Sequence, residues 1–165
     1  MFSPFTRLCA GFTMVLLCLN CTFVDAQNPT KFCEDLNAYI EHSYASFDKL
    51  KDDSRNDMPE GRYHTNAIME GANKCQIDQT FMPVCECSFR KSGIQGTVKG
   101  EYDQMALWVK NCLPEGWKLN LRASNEKYKG SSLEATSPDG RTLIEIGIAW
   151  RPDNEFELLM AMSRF

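Results

Sequence analysis

The sequence predicts an α+β fold: an antiparallel sheet with helices laid on one face, in the order helix, three strands, helix, four-stranded meander. Three observations predict it. Apolar residues recur every third or fourth position in two separate stretches, as on one side of a helix, and every second position elsewhere, as on one face of a strand. Turn sequences such as Ser137-Pro138-Asp139-Gly140 join alternating stretches too tightly for a helix to intervene. The strand-helix-strand alternation of a parallel nucleotide-binding sheet is missing, as are the Gly-x-Gly-x-x-Gly and Walker phosphate loops.

Asn28-Pro29 supplies a cap residue and a proline at the first helical position, where its missing N–H matters least. Phe32, Leu36, Tyr39 or Ile40, Ser43, Phe47 and Leu50 then step by three and four, predicting an amphipathic helix of about 20 residues. The polar run from Lys51 to Asp57 and Pro59-Glu60-Gly61 read as loop and turn. Period-two segments follow from Arg62 to Met69, Cys75 to Thr80 and Val84 to Arg90; in the last, Cys85, Cys87 and Phe89 share the face expected to be buried. Ser92-Gly93-Ile94-Gln95-Gly96 and Gly100 interrupt before a second helix carrying Tyr102, Met105 or Ala106, Val109, Cys112 and Leu113, which Pro114 ends. The meander comprises Trp117 to Ala123, Ser132 to Ser137, Thr142 to Trp150 and Phe156 to Met162, with Thr142, Ile144, Ile146, Ile148 and Trp150 as its continuous apolar face.

Residues 1–26 have the layout of a cleavable secretory signal peptide: an early cation at Arg7, an apolar run from Leu8 to about Cys21, and Val24 and Ala26 at the positions a signal peptidase reads. A run of about 14 apolar residues is short for a permanent span of a ~30 Å hydrocarbon core. Lipidation at Cys18 or Cys21 competes, although neither cysteine follows the usual small residues. The expected mature chain is one domain, residues 27–165, secreted or periplasmic, with no transmembrane segment.

The chain is 43 % hydrophobic and 11 % aromatic, enough for one packed core, and its formal net charge is −4. Arg7 and Asp25 cancel, so removing the leader leaves that charge unchanged. A mildly acidic domain is a poor nucleic-acid binder, because phosphate binding needs a basic surface that releases counterions.

Five cysteines lie beyond the leader: Cys33, Cys75, Cys85, Cys87 and Cys112. In an exported chain they are candidate disulfide cysteines, with one left over. One member of Cys85-Glu86-Cys87 is expected to close a cross-strand bridge with Cys75. The second bridge joins Cys33 to Cys112, or the remaining strand cysteine to Cys112. Each contributes roughly 2–4 kcal/mol. A soft-metal site at the Cys-x-Cys pair lacks a histidine at ligand spacing, so no metal or cofactor is expected.

Catalytic residues are not identifiable. No cysteine sits at a helix N-terminus or beside a histidine base, His42 falls on the polar side of the first helix, and His64 sits in an alternating strand. Gly-x-Ser-x-Gly is absent. The acid pairs Glu34-Asp35, Asp52-Asp53 and Glu155 with Glu157 read as solvated surface, since a glycosidase needs two acids across a cleft. Trp108, Trp117, Trp150, Phe156 and Phe165 suit core or interface equally.

The arrangement Phe32-Cys33-Glu34-Asp35-Leu36-Asn37, Gly71-Ala72 before Cys75, Cys85-Glu86-Cys87, and Cys112-Leu113 followed by Trp117 resembles small exported bacterial proteins of uncharacterised function. The resemblance implies export and disulfides and brings no activity to carry over. The function expected is a non-catalytic exported binding or interaction domain with a protein partner, such as an inhibitor, an immunity-type protein or an accessory protein. The alternatives are an exported hydrolase using carboxylates or the spare thiol, and a carrier of a small apolar ligand between helices and sheet, near Met105, Met160 and Met162.

Overall fold

The computed structural model describes residues 28–55 and 57–165. The expected signal peptide and the mature start at Gln27 lie outside the described residues. The fold is α+β: a seven-stranded antiparallel sheet in the order β1-β2-β3-β7-β6-β5-β4, with two helices on one face. The strands are β1 (Arg62–His64), β2 (Lys74–Asp78), β3 (Val84–Ser92), β4 (Lys118–Arg122), β5 (Ser132–Thr136), β6 (Thr142–Trp150) and β7 (Phe156–Arg164). The helices are α1 (Pro29–Ser43) and α2 (Gln95–Cys112). No helix among the described residues is long and apolar enough to cross a membrane.

α1 begins as its sequence dictates: the Asn28 side chain accepts from the backbone N–H groups of Thr30 and Lys31, and Pro29 opens the first turn. It is shorter than its apolar stripe suggests. Ser46 and Phe47 adopt left-handed backbone (φ 55° and 62°), the Phe47 N–H bonds back to the His42 carbonyl, and a 3₁₀ turn, Asp48–Leu50, follows. The reversal still buries Phe47 and Leu50, so the stripe kept its period across a helix end that it could not reveal. α2 differs in the opposite sense. It starts at Gln95, ahead of Gly100, because Val98, Tyr102, Met105 and Val109 extend the buried stripe while Gly96 and Gly100 sit exposed. A glycine in a helix costs about 1 kcal/mol relative to alanine, less than burying Val98 recovers.

The first strand also ends early. Beyond His64 the chain leaves the sheet and is tied to α1: the Tyr39 hydroxyl donates to the Ala67 carbonyl (2.7 Å), Asp35 accepts from the Glu70 N–H (2.8 Å), and Met69 is buried.

Sheet register explains the core. The row Tyr63, Ile77, Cys85, Met162, Ile144, Ala135 and Leu119 runs across all seven strands, and the row Cys75, Cys87, Met160, Ile146, Leu133 and Leu121 lies beside it. Both rows face the helices, which bury all but the β4 ends and the half-buried Tyr63 on β1. Trp150, expected on this face, ends the β6 row at 42 % exposure and packs edge-on against Phe156, with ring centroids 4.6 Å apart. On the opposite, open face, Tyr128 from the β4–β5 connection covers Ala149, Leu159 and Gly147.

Candidate binding surfaces

The sulfurs of Cys33 and Cys112 lie at bonding distance and join α1 to α2, and those of Cys75 and Cys87 lie at bonding distance between the registered residues of β2 and β3. Cys87, not Cys85, therefore meets Cys75, and α1 supplies the partner of Cys112. Of the five candidate disulfide cysteines, Cys85 has none.

Cys85 is buried with Ile77 and Met162 as cross-strand neighbours. Burial, with the Glu86 charge adding to it, pushes its thiol up to about 12. At neutral pH the reactive thiolate is then a minute fraction. A native oxidised chain beginning at Gln27 is expected to take no iodoacetamide label, and the same chain unfolded without reduction one label. A label on the native protein would contradict the buried position.

The other sequence candidates stay apart. His64 Nε2 lies 2.9 Å from Asp57 at the outer edge of the sheet. Asp52 caps the Ser54 turn, Asp35 holds the Glu70 backbone, and Glu34 is exposed. Among the described residues no group of three His, Cys, Asp or Glu side chains is placed to hold a metal ion. Met105, Met160 and Met162 are core residues at 2 % exposure. Trp108 and Trp117 are half-buried, Trp108 lying against Phe32 with centroids 5.5 Å apart, while Phe165 is 65 % exposed.

Among the described residues, two surfaces offer open, shaped space. The first is the free edge of the sheet at β4. All five residues of Lys118–Arg122 are exposed. Leu119 and Leu121 end the two core rows, and with Leu107 of α2 they border an apolar groove of about 460 Å³ floored by Ala106 and Leu133. The opposite edge is better protected: β1 has three residues, and the Lys51–Thr65 bridge continues past it. A free edge leaves alternate backbone N–H and C=O groups unpaired. Lys110 lines the groove, and Lys118 lies on the opposite face of β4 from Leu119 and Leu121; neither has an ion-pair partner among the described residues.

The second lies on the open face over β2, β3 and β7. Glu157, 2 % exposed, accepts from the Ser88 hydroxyl and from Arg151 Nε. Glu86 lies 3.6 Å from both Arg151 and Lys127. A carboxylate this deeply buried is tolerated only with such partners. Sequence reasoning set Glu157 aside as half of a solvated pair. The missed signal was its place in Phe156-Glu157-Leu158-Leu159-Met160, a run apolar on both faces, where a lone carboxylate has no route to water.

No family model, curated protein or solved structure matches this chain.

Proposed function

We propose that the chain is an exported, non-catalytic interaction domain that takes an extended segment of a protein partner onto the β4 edge. The observation that carries this reading is the coincidence of an open strand edge with exposed leucines: Leu121 at 70 %, Leu119 at 40 % and Leu107 at 50 %. Strand addition draws affinity from backbone hydrogen bonds and specificity from pockets for alternate side chains, and both elements are present here. Lys110 favours a carboxylate beside the apolar positions of the partner. The cations of β4 itself disfavour a second copy. Two antiparallel β4 strands centred on Asn120 would set Lys118 opposite Arg122, like charges in direct cross-strand contact. Export is supported by the leader-like first 26 residues and by two disulfides, which persist in oxidising compartments.

A random-peptide display library selected against the oxidised protein tests the reading. Enriched peptides are expected to alternate apolar and polar positions, carry acidic flanks, and slow amide exchange in Lys118–Arg122 when bound. Leu121→Asp is expected to weaken them at least about tenfold, since burying a leucine is worth about 1.5–3 kcal/mol. Peptides that bind equally well to Leu121→Asp and leave β4 exchange unchanged would sink the proposal.

A further inference from the structure

The open face carries a second site, independent of the β4 edge. Two cavities lie on it, one of about 400 Å³ beside Met58, Phe81, Met82 and Val84, and one of about 290 Å³ beside Lys74, Lys91, Arg151 and Glu157. They share Gln76 and Glu86, so they form one cleft running along β2. One end gathers Phe81, fully exposed at the β2–β3 hairpin, with Met58, Met82 and Val84, beside the mutually paired Arg62 and Asp78. The other end holds Lys74, Lys91 and Arg151.

Arg151 is the informative residue there. Glu157, itself bonded by the Ser88 hydroxyl, holds it through Nε, and its terminal nitrogens have no hydrogen-bond acceptor among the described residues, Glu86 forming a looser ion pair with Nη2 at 3.6 Å. A guanidinium oriented by a buried carboxylate, with its remaining donors unfilled, is a fork for a planar carboxylate. Lys74 adds a cation without an ion-pair partner among the described residues, set across from Ser88 in the β2–β3 register. Lys91 is held by Asp153 and Glu155, and Lys127 and Arg151 approach Glu86, so Lys74 is the cation of this end that no carboxylate engages.

We infer that this cleft binds a small amphipathic monocarboxylate, its head at Arg151 and Lys74 and its apolar body against Val84, Met82, Phe81 and Met58. From Lys74 to Asp78 the strand covers about 14 Å, a span suited to a medium-length aliphatic or aryl-alkyl acid.

Decanoate, below its micellar concentration, is the probe, followed by two-dimensional NMR of the oxidised protein, with decanol and acetate as controls. Decanoate is expected to shift Gln76, Glu86 and Phe81 resonances saturably, decanol to bind about tenfold more weakly for loss of a charge-assisted pair, and acetate to leave the apolar end unmoved. Lys74→Gln and Phe81→Ser alter exposed side chains, and each is expected to weaken decanoate several-fold while leaving the rest of the spectrum in place. The double variant Arg151→Gln/Glu157→Gln, which removes the buried pair together, is expected to abolish the preference over decanol. Equal binding of decanol, shifts confined to the α2–β4 groove, or no saturable shift would each overturn the inference.

Discussion

Replacing Cys33 and Cys112 together by alanine is expected to lower the unfolding free energy by about 4.5 kcal/mol, against about 3 kcal/mol for Cys75 and Cys87. The difference comes from the unfolded chain. The first bridge closes a loop of sequence separation 79 and the second one of 12, and the entropy that a crosslink removes from the unfolded ensemble grows with the logarithm of loop length. The short loop is nested within the long one, but shortening the outer loop by the inner one changes its contribution by only about 0.1–0.2 kcal/mol. Urea titrations of the two double variants, followed by tryptophan fluorescence, read the order directly. Equal losses, or the reverse order, would show that native contacts rather than chain entropy set the value of each bridge. The long bridge also has the larger structural consequence. It fastens α1 to α2 beside the Phe32–Trp108 contact, whereas the short bridge joins strands already paired by backbone hydrogen bonds.

A stapled scaffold suits both proposed sites. Binding that orders its own receptor loses affinity to that ordering. β4 is held by its ladder to β5, and the open-face cleft is floored by three ladder-bonded strands, β2, β3 and β7. A partner segment or a carboxylate ligand therefore meets positions already set by the sheet. The two sites lie on opposite aspects of that sheet, one at an edge on the helix side and one on the open face, so occupancy of one leaves the other accessible.

Element type was readable wherever a side-chain period was anchored by a strong local signal. Asn28-Pro29 and Ser137-Pro138-Asp139-Gly140 are such anchors: the Asn28 carboxamide caps α1, and Gly140 takes the left-handed backbone (φ 72°) that the turn requires. Boundaries were less readable where tertiary contacts overrode local preference. Phe47 accepts a left-handed conformation because its ring is buried, and nothing in its own neighbourhood announces this. Gly100 reads as an interruption from propensity alone, yet four buried residues on one side of α2 outweigh it. The residues after His64 alternate like a strand, but Ala67 and Glu70 bond to α1 and Asn66 to Lys49, Leu50 and Lys51, partners that sequence spacing does not name.

The cleft was hidden for a related reason. Its residues come from β2, β3, the β6–β7 turn and β7, and only the strand order β2-β3-β7 makes them neighbours. Sequence adjacency paired Glu157 with Glu155, whereas the sheet pairs it with Ser88 and Arg151. Antiparallel meanders in general conceal such sites: the two middle partners of β3 lie close in sequence on one side and about 70 residues away on the other.

Gly147→Ala is expected to destabilise the fold by about 2–3 kcal/mol, although alanine ordinarily favours a strand over glycine. A Cβ at Gly147 would stand 2.4, 2.5 and 2.9 Å from three ring carbons of Tyr128, far inside van der Waals contact. The ring has little freedom to retreat. Its backbone is fixed on both sides: the Tyr128 N–H donates to the Asn125 side chain (2.7 Å), its carbonyl accepts from Asn125 N–H and Ser124, and the next residue, Lys129, donates to Ile148 (2.7 Å). Tyr128→Ala, which empties a fully buried site, is expected to cost about 3–5 kcal/mol. The decisive quantity is the pair. In the double variant the new methyl enters space the ring has vacated, so the loss should fall short of the sum of the single losses by about 2 kcal/mol or more. Additive losses in a denaturant-monitored cycle would mean that the β4–β5 connection does not lie on Gly147. Coupling of the expected sign would fix that connection across the open face, and with it Lys127, the cation that approaches Glu86 at 3.6 Å along one side of the cleft.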